Sequence, residues 1–147
     1  MSEPRFLLNP RAEDIAAELL GPLAEAGARI LVDAIKDEME EAPARTGREY
    51  KIPGTQTTYT ASAPGEPPAI REGIYSNGWT STKAFRTQRG VAAAAVNNIA
   101  TEAGDPIGLL LEDGTVRMAP RPHIREGMLR AEPQVDALAN QARRGGA

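Results

Sequence analysis

The chain has no cysteine, one histidine, one tryptophan and two phenylalanines in 147 residues. Without cysteine there is no disulfide, no thiolate metal site and no cysteine nucleophile. That suits a reducing cytosol, or a particle assembled in one. His123 is the only imidazole, so one chain cannot build a multi-histidine metal centre. No apolar run approaches the ~20 residues a spanning helix needs, so no membrane is expected as a partner. Met1 to Arg11 lacks the apolar core of a secretory signal. There is no glycine-rich phosphate loop opening a helix, and no Gly-x-Ser-x-Gly elbow. The expectation is a non-enzyme with no catalytic residue, cofactor or metal.

What the chain has in quantity is turn formers, with 14 glycines and 12 prolines, and unevenly placed charge. The length is that of a single domain. Residues 1–44 hold ten acids and four bases; residues 45–147 hold ten acids and thirteen bases. Opposite-signed regions suit either solvated helix faces or head-to-tail packing of copies. Three of the prolines fall in Ala61-Ser62-Ala63-Pro64-Gly65-Glu66-Pro67-Pro68-Ala69. Each fixes its own φ and restricts the residue before it. The stretch is expected to be a polyproline-like arm or a rigid turn.

Before that stretch, Asn9-Pro10 reads as a helix start, and Gly21-Pro22 as a kink or a break. Leu23, Ile30, Leu31, Ala34, Ile35 and Met39 then mark a long amphipathic helix over about 22–41. Gly27 on that face would admit a close neighbour. The acidic run Asp37–Glu41 sits at the unfavourable end of the helix dipole, and Ala42-Pro43 ends the helix. Glu49–Ile52 and Thr57–Thr60 flank Pro53-Gly54 and predict a polar β-hairpin, which is marginal unless neighbours order it.

After the proline stretch, Ile70–Tyr75 predicts a helical turn. Trp79–Phe85 and Val91–Val96 predict two antiparallel strands around Arg89-Gly90. Asp105-Pro106 opens a short helix closed by Asp113-Gly114, and Val116–Met118 is expected to be extended. A last helix from about Pro122 to Arg130 would turn Ile124, Met128 and Leu129 to the core. Pro133 could restart it before a frayed tail from Gln141. Trp79 reads as a core anchor, with an interface anchor as the rival. Lys83, Arg86 and Arg89 with Trp79 and Phe85 form a crude nucleic-acid pattern. Lone His123, at a helix start, reads as a packed or interface residue rather than a general base.

Four separated pieces belong together. They are Arg45-Thr46-Gly47, Ala61–Pro68, Leu110-Leu111-Glu112-Asp113-Gly114-Thr115, and Met118-Ala119-Pro120-Arg121-Pro122-His123-Ile124-Arg125. Their order and spacing resemble the tail-completion and head–tail connector (neck) proteins of long-tailed bacteriophages, the group that includes the minor tail protein Z of phage lambda. That family commonly reads Ser-Ala-Pro-Gly-x-Pro-Pro in the proline stretch. A Leu-Glu-x-Gly-Thr segment follows, then Pro-Ala-Arg-Pro-Phe-Leu-Arg. The likeness runs from about Arg45 to Arg130. Three departures stand out. Glu72-Gly73-Ile74-Tyr75-Ser76 replaces a Thr-Gly-x-Leu-Arg-x-Ser run, Pro106-Ile107-Gly108 replaces Tyr-Ala, and His123 replaces Phe.

The resemblance implies an α+β fold. Long N-terminal and C-terminal helices would pack on a small antiparallel sheet, with a projecting hairpin and proline-rich arm. Within one domain the regions would be 1–44 helical, 45–78 hairpin and arm, 79–132 sheet and helices, and 133–147 tail. It further implies a structural virion protein of the phage neck, assembled in the host cytoplasm. It would form a homo-oligomeric, sixfold ring between a head-side connector or stopper and the tail tube or terminator, with genomic DNA passing through. Contacts to copies or partners are expected from Arg48, Tyr50, Tyr59, Pro64, Glu66, Pro67, Arg71 and Trp79. The alternatives are a tail terminator capping the tube and, from another class, a small DNA-binding protein using the basic middle.

Overall fold

The computed structural model describes residues 10–41 and 44–145. In chain order the elements are α1 (Pro10–Glu40), β1 (Glu49–Lys51), β2 (Thr58–Thr60), α2 (Ile74–Asn77) and β3 (Trp79–Ser81). They continue as β4 (Phe85–Thr87), β5 (Gly90–Ala92), β6 (Ala95–Asn97), α3 (Ile107–Asp113) and α4 (Ile124–Gly145). The class is α+β, with α1 against small antiparallel sheets and α4 packed on α1. Asn9 as a cap, Ala42-Pro43 as a terminator and the last two residues of the tail lie outside the described residues.

Both long helices run through a proline at which the sequence suggests an interruption. α1 is continuous over 31 residues with Pro22 inside it, and α4 over 22 with Pro133 inside. Each proline removes one N–H donor and crowds the carbonyl four residues back. Tertiary packing outweighs that cost: Gly21, beside Pro22, is buried against Ala84 of the sheet. The stretch 141–145, read as a frayed tail, continues the helix.

The two helices meet where α4 has no side chain. A Cβ on Gly127 would lie 2.6 Å from Ile35 Cγ1 and 2.8 Å from Ile35 Cα. Gly127 and Ala131 are the buried residues of α4, whereas Met128 and Leu129, expected in the core, are 54% and 58% exposed. Small residues face α1 because the axes are too close for anything larger. Gly27, expected to admit a neighbour, has open space above it. The acidic end of α1 is neutralised from within the chain. Arg130 bridges Glu38 and Glu41 at 3.1 Å each, and Arg45 donates to the Met39 carbonyl at 2.7 Å.

β3 to β6 form one antiparallel ribbon in two parts. β3 pairs with β6 (Trp79↔Asn97) and β4 with β5 (Phe85↔Ala92), and the register slips by one residue between them. Lys83 and Ala84 together therefore oppose Ala93, as in a β-bulge. The slip takes the Ala84 N–H out of the ladder, and Glu25 of α1 accepts it at 2.9 Å while reaching Lys83 Nζ at 3.6 Å. The bulge thus pins the ribbon to α1. The Ala84 N–H, with help from Lys83, holds the Glu25 carboxyl below its ordinary value. β1 and β2 form the expected hairpin, Tyr50 opposite Tyr59 with rings stacked at 6.0 Å. Residues 115–118 are a tight turn rather than an extended run, with mutual Thr115–Met118 backbone bonds.

The core is Val32, Ile35, Met39 and Trp79, with Leu31, Tyr75, Ala95 and Ile124 against it. Two glycine substitutions separate the close crossing from the open site. Gly127→Ala should destabilise by about 1–3 kcal/mol through overpacking on Ile35. Gly27→Ala should stabilise by about 0.5–1 kcal/mol through helix propensity. Urea unfolding of both variants beside the parent checks the pair.

Candidate functional site

Four stretches distant in sequence meet in one hydrogen-bonded seam, and each residue type in them has a local reason. The β1–β2 ladder runs on past its strands: Gly47 N–H donates to Ala61 O and Ala61 N–H to Arg48 O, both at 2.9 Å. Gly47 is required there, because a Cβ would collide with the Ala61 carbonyl. Pro64-Gly65 makes a turn closed by Glu66 N–H on Ala63 O at 3.1 Å, with Gly65 at φ 84°. Proline then glycine at these two places is the type II pattern.

Glu66 closes the turn onto the segment before the hairpin. One carboxylate oxygen accepts Ala63 N–H at 2.8 Å and Thr46 N–H at 3.1 Å; the other accepts the Thr46 hydroxyl at 2.5 Å. The Thr46 hydroxyl, then these N–H donors, hold the Glu66 carboxyl below its usual range. Arg45 clamps the far end, donating to the carbonyl of buried Pro68 at 3.0 Å. Gly65 N–H reaches the Pro120 carbonyl at 3.1 Å and so ties the turn to the second proline segment.

That segment is held in turn by Glu112. Its carboxylate accepts the N–H groups of His123 and Ile124 at 2.8 Å and of Arg125 at 2.9 Å. These are the donors that the first turn of α4 leaves without helical partners, at the positive end of its dipole. Burial alone would raise the Glu112 carboxyl, but the three N–H donors outweigh it and hold it below its ordinary value. Arg121 N–H donates to Leu111 O at 2.6 Å. Gly114, at φ 75°, lies where a Cβ would be 2.7 Å from Met118 O.

Tyr75, Gly108 and His123 meet behind this cap. His123 is fully buried, and the Tyr75 hydroxyl donates to its Nε2 at 2.5 Å. A Cβ on Gly108 would lie 2.9 Å from that same hydroxyl. So the histidine, the tyrosine and the glycine form one arrangement, with the Trp79 ring edge-on to both aromatic neighbours. His123 Nδ1 faces two acceptors, Arg121 O at 2.9 Å and Glu112 Oε2 at 3.2 Å. That assigns the proton to Nδ1 and leaves Nε2 to accept. Burial pushes the imidazole below its ordinary value, against the pull of the Arg121 carbonyl and Glu112, and pushes the Tyr75 phenol up. His123 is fully buried, and both of its ring nitrogens have partners within the chain.

The expected contact residues divide into three groups. Arg48, Tyr50, Pro64 and Arg71 are exposed, with Arg71 paired to Glu72. Tyr59, Glu66 and Pro67 are half-buried, and the Glu66 carboxylate is committed within the chain. Trp79, expected as a core anchor and also among the contact residues, is a core residue, 7% exposed. The proline stretch is likewise a turn stapled to its own chain, with only its Pro64-Gly65 tip outward. Lys83, Phe85, Arg86 and Arg89 lie exposed along the ribbon. Among the described residues no group of three histidine, aspartate or glutamate side chains could hold a metal ion, and no helix could cross a membrane. The Glu66 staple and the Gly127 crossing are absent from the sequence reading. The Thr46/Glu66 pair carries no local signal across 20 residues.

No protein-family model matches the chain, and no curated protein or solved structure matches it either.

Stability should depend on pH through the buried pair. His123 and Glu112 both titrate lower folded than unfolded, so the unfolded chain binds more protons in each range. Stability is then full above the ordinary imidazole value of about 6.5, declines as pH falls through it, and declines again as Glu112 protonates. Urea midpoints between neutral and acid pH check this, and His123→Phe should remove the upper decline alone. A double-mutant cycle of Tyr75→Phe with His123→Phe should give a coupling of about 0.5–1.5 kcal/mol for the ring–hydroxyl bond.

Proposed function

We propose that the protein is a structural component of the neck of a long-tailed phage or phage-derived particle, acting in tail completion and head–tail joining. In this reading it is one subunit of a homo-oligomeric ring, head-side connector or stopper on one side and tail tube or terminator on the other. Genomic DNA passes through the ring. One observation carries the reading. The four segments that resemble the family in order and spacing are stitched into a single seam by the Glu66, Gly65–Pro120 and Glu112 bonds. Four unrelated coincidences of sequence have no reason to meet in space.

Two further features fit a part that works by docking. The β1–β2 hairpin projects with both edges unpaired among the described residues, and its Tyr50 is 47% exposed. The seam holds the Pro64-Gly65 tip rigid, and rigidity lowers the entropy lost on binding. A tail terminator stacking directly on tube protein is the nearest alternative station. A second class is favoured by one observation. No acid occurs from Gly73 to Thr101, and Lys83, Arg86 and Arg89 stand along that ribbon beside exposed Phe85. A free DNA-binding protein would show salt-dependent affinity as an isolated monomer.

Removing the gene from its particle-forming genome should leave full heads and free tails unjoined, and the parent protein supplied in trans should restore joining. Tyr50→Asp should fold normally by circular dichroism yet fail to restore it. Normal infectious particles without the protein would sink the reading.

A further inference from the structure

The β1–β2 hairpin presents one edge whose charges and hydrogen-bonding groups complement themselves. The Ile52 N–H donates to Thr57 O and the Ala61 N–H to Arg48 O, each at 2.9 Å. Both bonds stand two residues from the Tyr50↔Tyr59 pair along the ladder. Antiparallel pairs alternate between bonded and non-bonded, so Tyr50 and Tyr59 bond to each other. The N–H and C=O groups of Glu49 and Lys51 therefore point outward, along an edge of β1 that is unpaired among the described residues.

β1 is the more open of the two edges. All three of its residues are exposed, whereas Tyr59 in β2 is half-buried. Ala69 and Ile70 also lie across a cleft from Tyr59 and Thr60. Glu49 and Lys51, two residues apart, stand on one face of the strand. Glu49 has no ion pair among the described residues. Lys51 Nζ is held by a neutral group of its own hairpin, Gln56 Oε1 at 2.9 Å.

We propose that two copies of this chain pair through β1, antiparallel, with a two-fold axis at Tyr50. Self-complementarity selects the occupant. With Tyr50 opposite its counterpart, Glu49 of each copy faces Lys51 of the other. The outward N–H and C=O groups at 49 and 51 then fall in the bonded pairs, so backbone register and charge register coincide. The two Tyr50 residues form the non-bonded pair, where side chains stand closer, and extend the Tyr50–Tyr59 stack to both hairpins. Pro53, the next residue in outward phase, has no N–H and ends the ladder. Other edge pairings lack this match. β2 on β2 opposes only threonines around Tyr59, and β1 on β2 of another copy, in the hairpin's own register, leaves both charges opposite threonine.

Pairing turns a marginal two-stranded hairpin into a four-stranded sheet with tyrosines on one face. It also covers an edge that would otherwise template non-specific strand addition. Three residues a side fall short of the roughly 1,000 Å² of a standing interface, so the pair is weak and concentration-dependent. A two-fold contact closes on itself and builds no ring. It joins free subunits and does not rest on the neck reading.

Because the chain has no cysteine, an introduced thiol is the only one present. Tyr50→Cys puts that thiol at the axis, where a Cα separation of about 4.5 Å suits a disulfide. Mild oxidation at high protein concentration should link this variant into dimers. The two copies of position 51 stand about 8 Å apart, beyond disulfide reach, so Lys51→Cys should link at least about tenfold more slowly. In the Tyr50→Cys background, Glu49→Lys or Lys51→Glu sets like charges opposite each other and should slow linkage at least about fivefold. An equal mixture of those two should regain the rate as a mixed dimer, identified by mass, since opposite charges then meet at both positions. Circular dichroism and urea midpoints verify that every variant folds.

Three results would overturn the proposal. Tyr50→Cys could link no faster than Lys51→Cys, which reduces the dimer to random collision. Tyr50→Cys could stay monomeric alone yet link when mixed with Tyr59→Cys, which makes β2 of the second copy the occupant. The charge variants could link as fast alone as the Tyr50→Cys protein, which removes the charge register. Each leaves the neck reading standing, since that is tested by head–tail joining.

Discussion

The carboxylate of Glu112 is the interaction on which the arrangement depends. It sits on the last full turn of a seven-residue helix and accepts three backbone N–H groups at the start of α4. An uncapped helix start would leave those donors without partners in a half-buried place, at roughly 1–3 kcal/mol for each unsatisfied group. With them satisfied, α4 begins at a set point and in a set direction. Four residues beyond His123, Gly127 arrives against Ile35 with no room for error. Arg130 then falls between Glu38 and Glu41. The cap, the crossing and the neutralised end of α1 are successive consequences of one side chain.

Glu66 plays the corresponding part on the other side of the molecule. It holds residues 61–68 to residues 45–47, and the Gly65–Pro120 bond joins that half to the half organised by Glu112. Rigid segments that look like arms in the sequence are therefore walls. What remains outward is the hairpin, the tip at Pro64-Gly65 and the ribbon with its bases. These are the surfaces a docking protein would use. Residues inside the seam matter to a partner only through the shape they hold.

The interior is arranged around one buried histidine. A buried histidine brings a polar ring into the core, where an unmet nitrogen is costly. Here both nitrogens are engaged, Nε2 by Tyr75 and Nδ1 by Arg121 and Glu112. Tyr75 reaches that nitrogen because position 108 is glycine. Three residues far apart along the chain form one arrangement in space.

The sequence by itself determined the local structure: the amphipathic period of α1, the Pro53-Gly54 hairpin, the short helix closed by Asp113-Gly114, and the antiparallel ribbon around Arg89-Gly90. These depend on neighbours within a few residues, where φ preferences and periodicity act directly. Only the tertiary structure decided that α1 and α4 run through Pro22 and Pro133, because packing can outweigh one lost hydrogen bond. Only it decided that Gly127 rather than Gly27 is the crossing, that Met128 and Leu129 face out, that the ribbon slips at Ala84 to meet Glu25, and that Glu66 turns inward to Thr46. Each joins residues 20 or more apart in the chain, or chooses between two similar residues by the distance to another helix. Chain-local preferences carry no information about such distances.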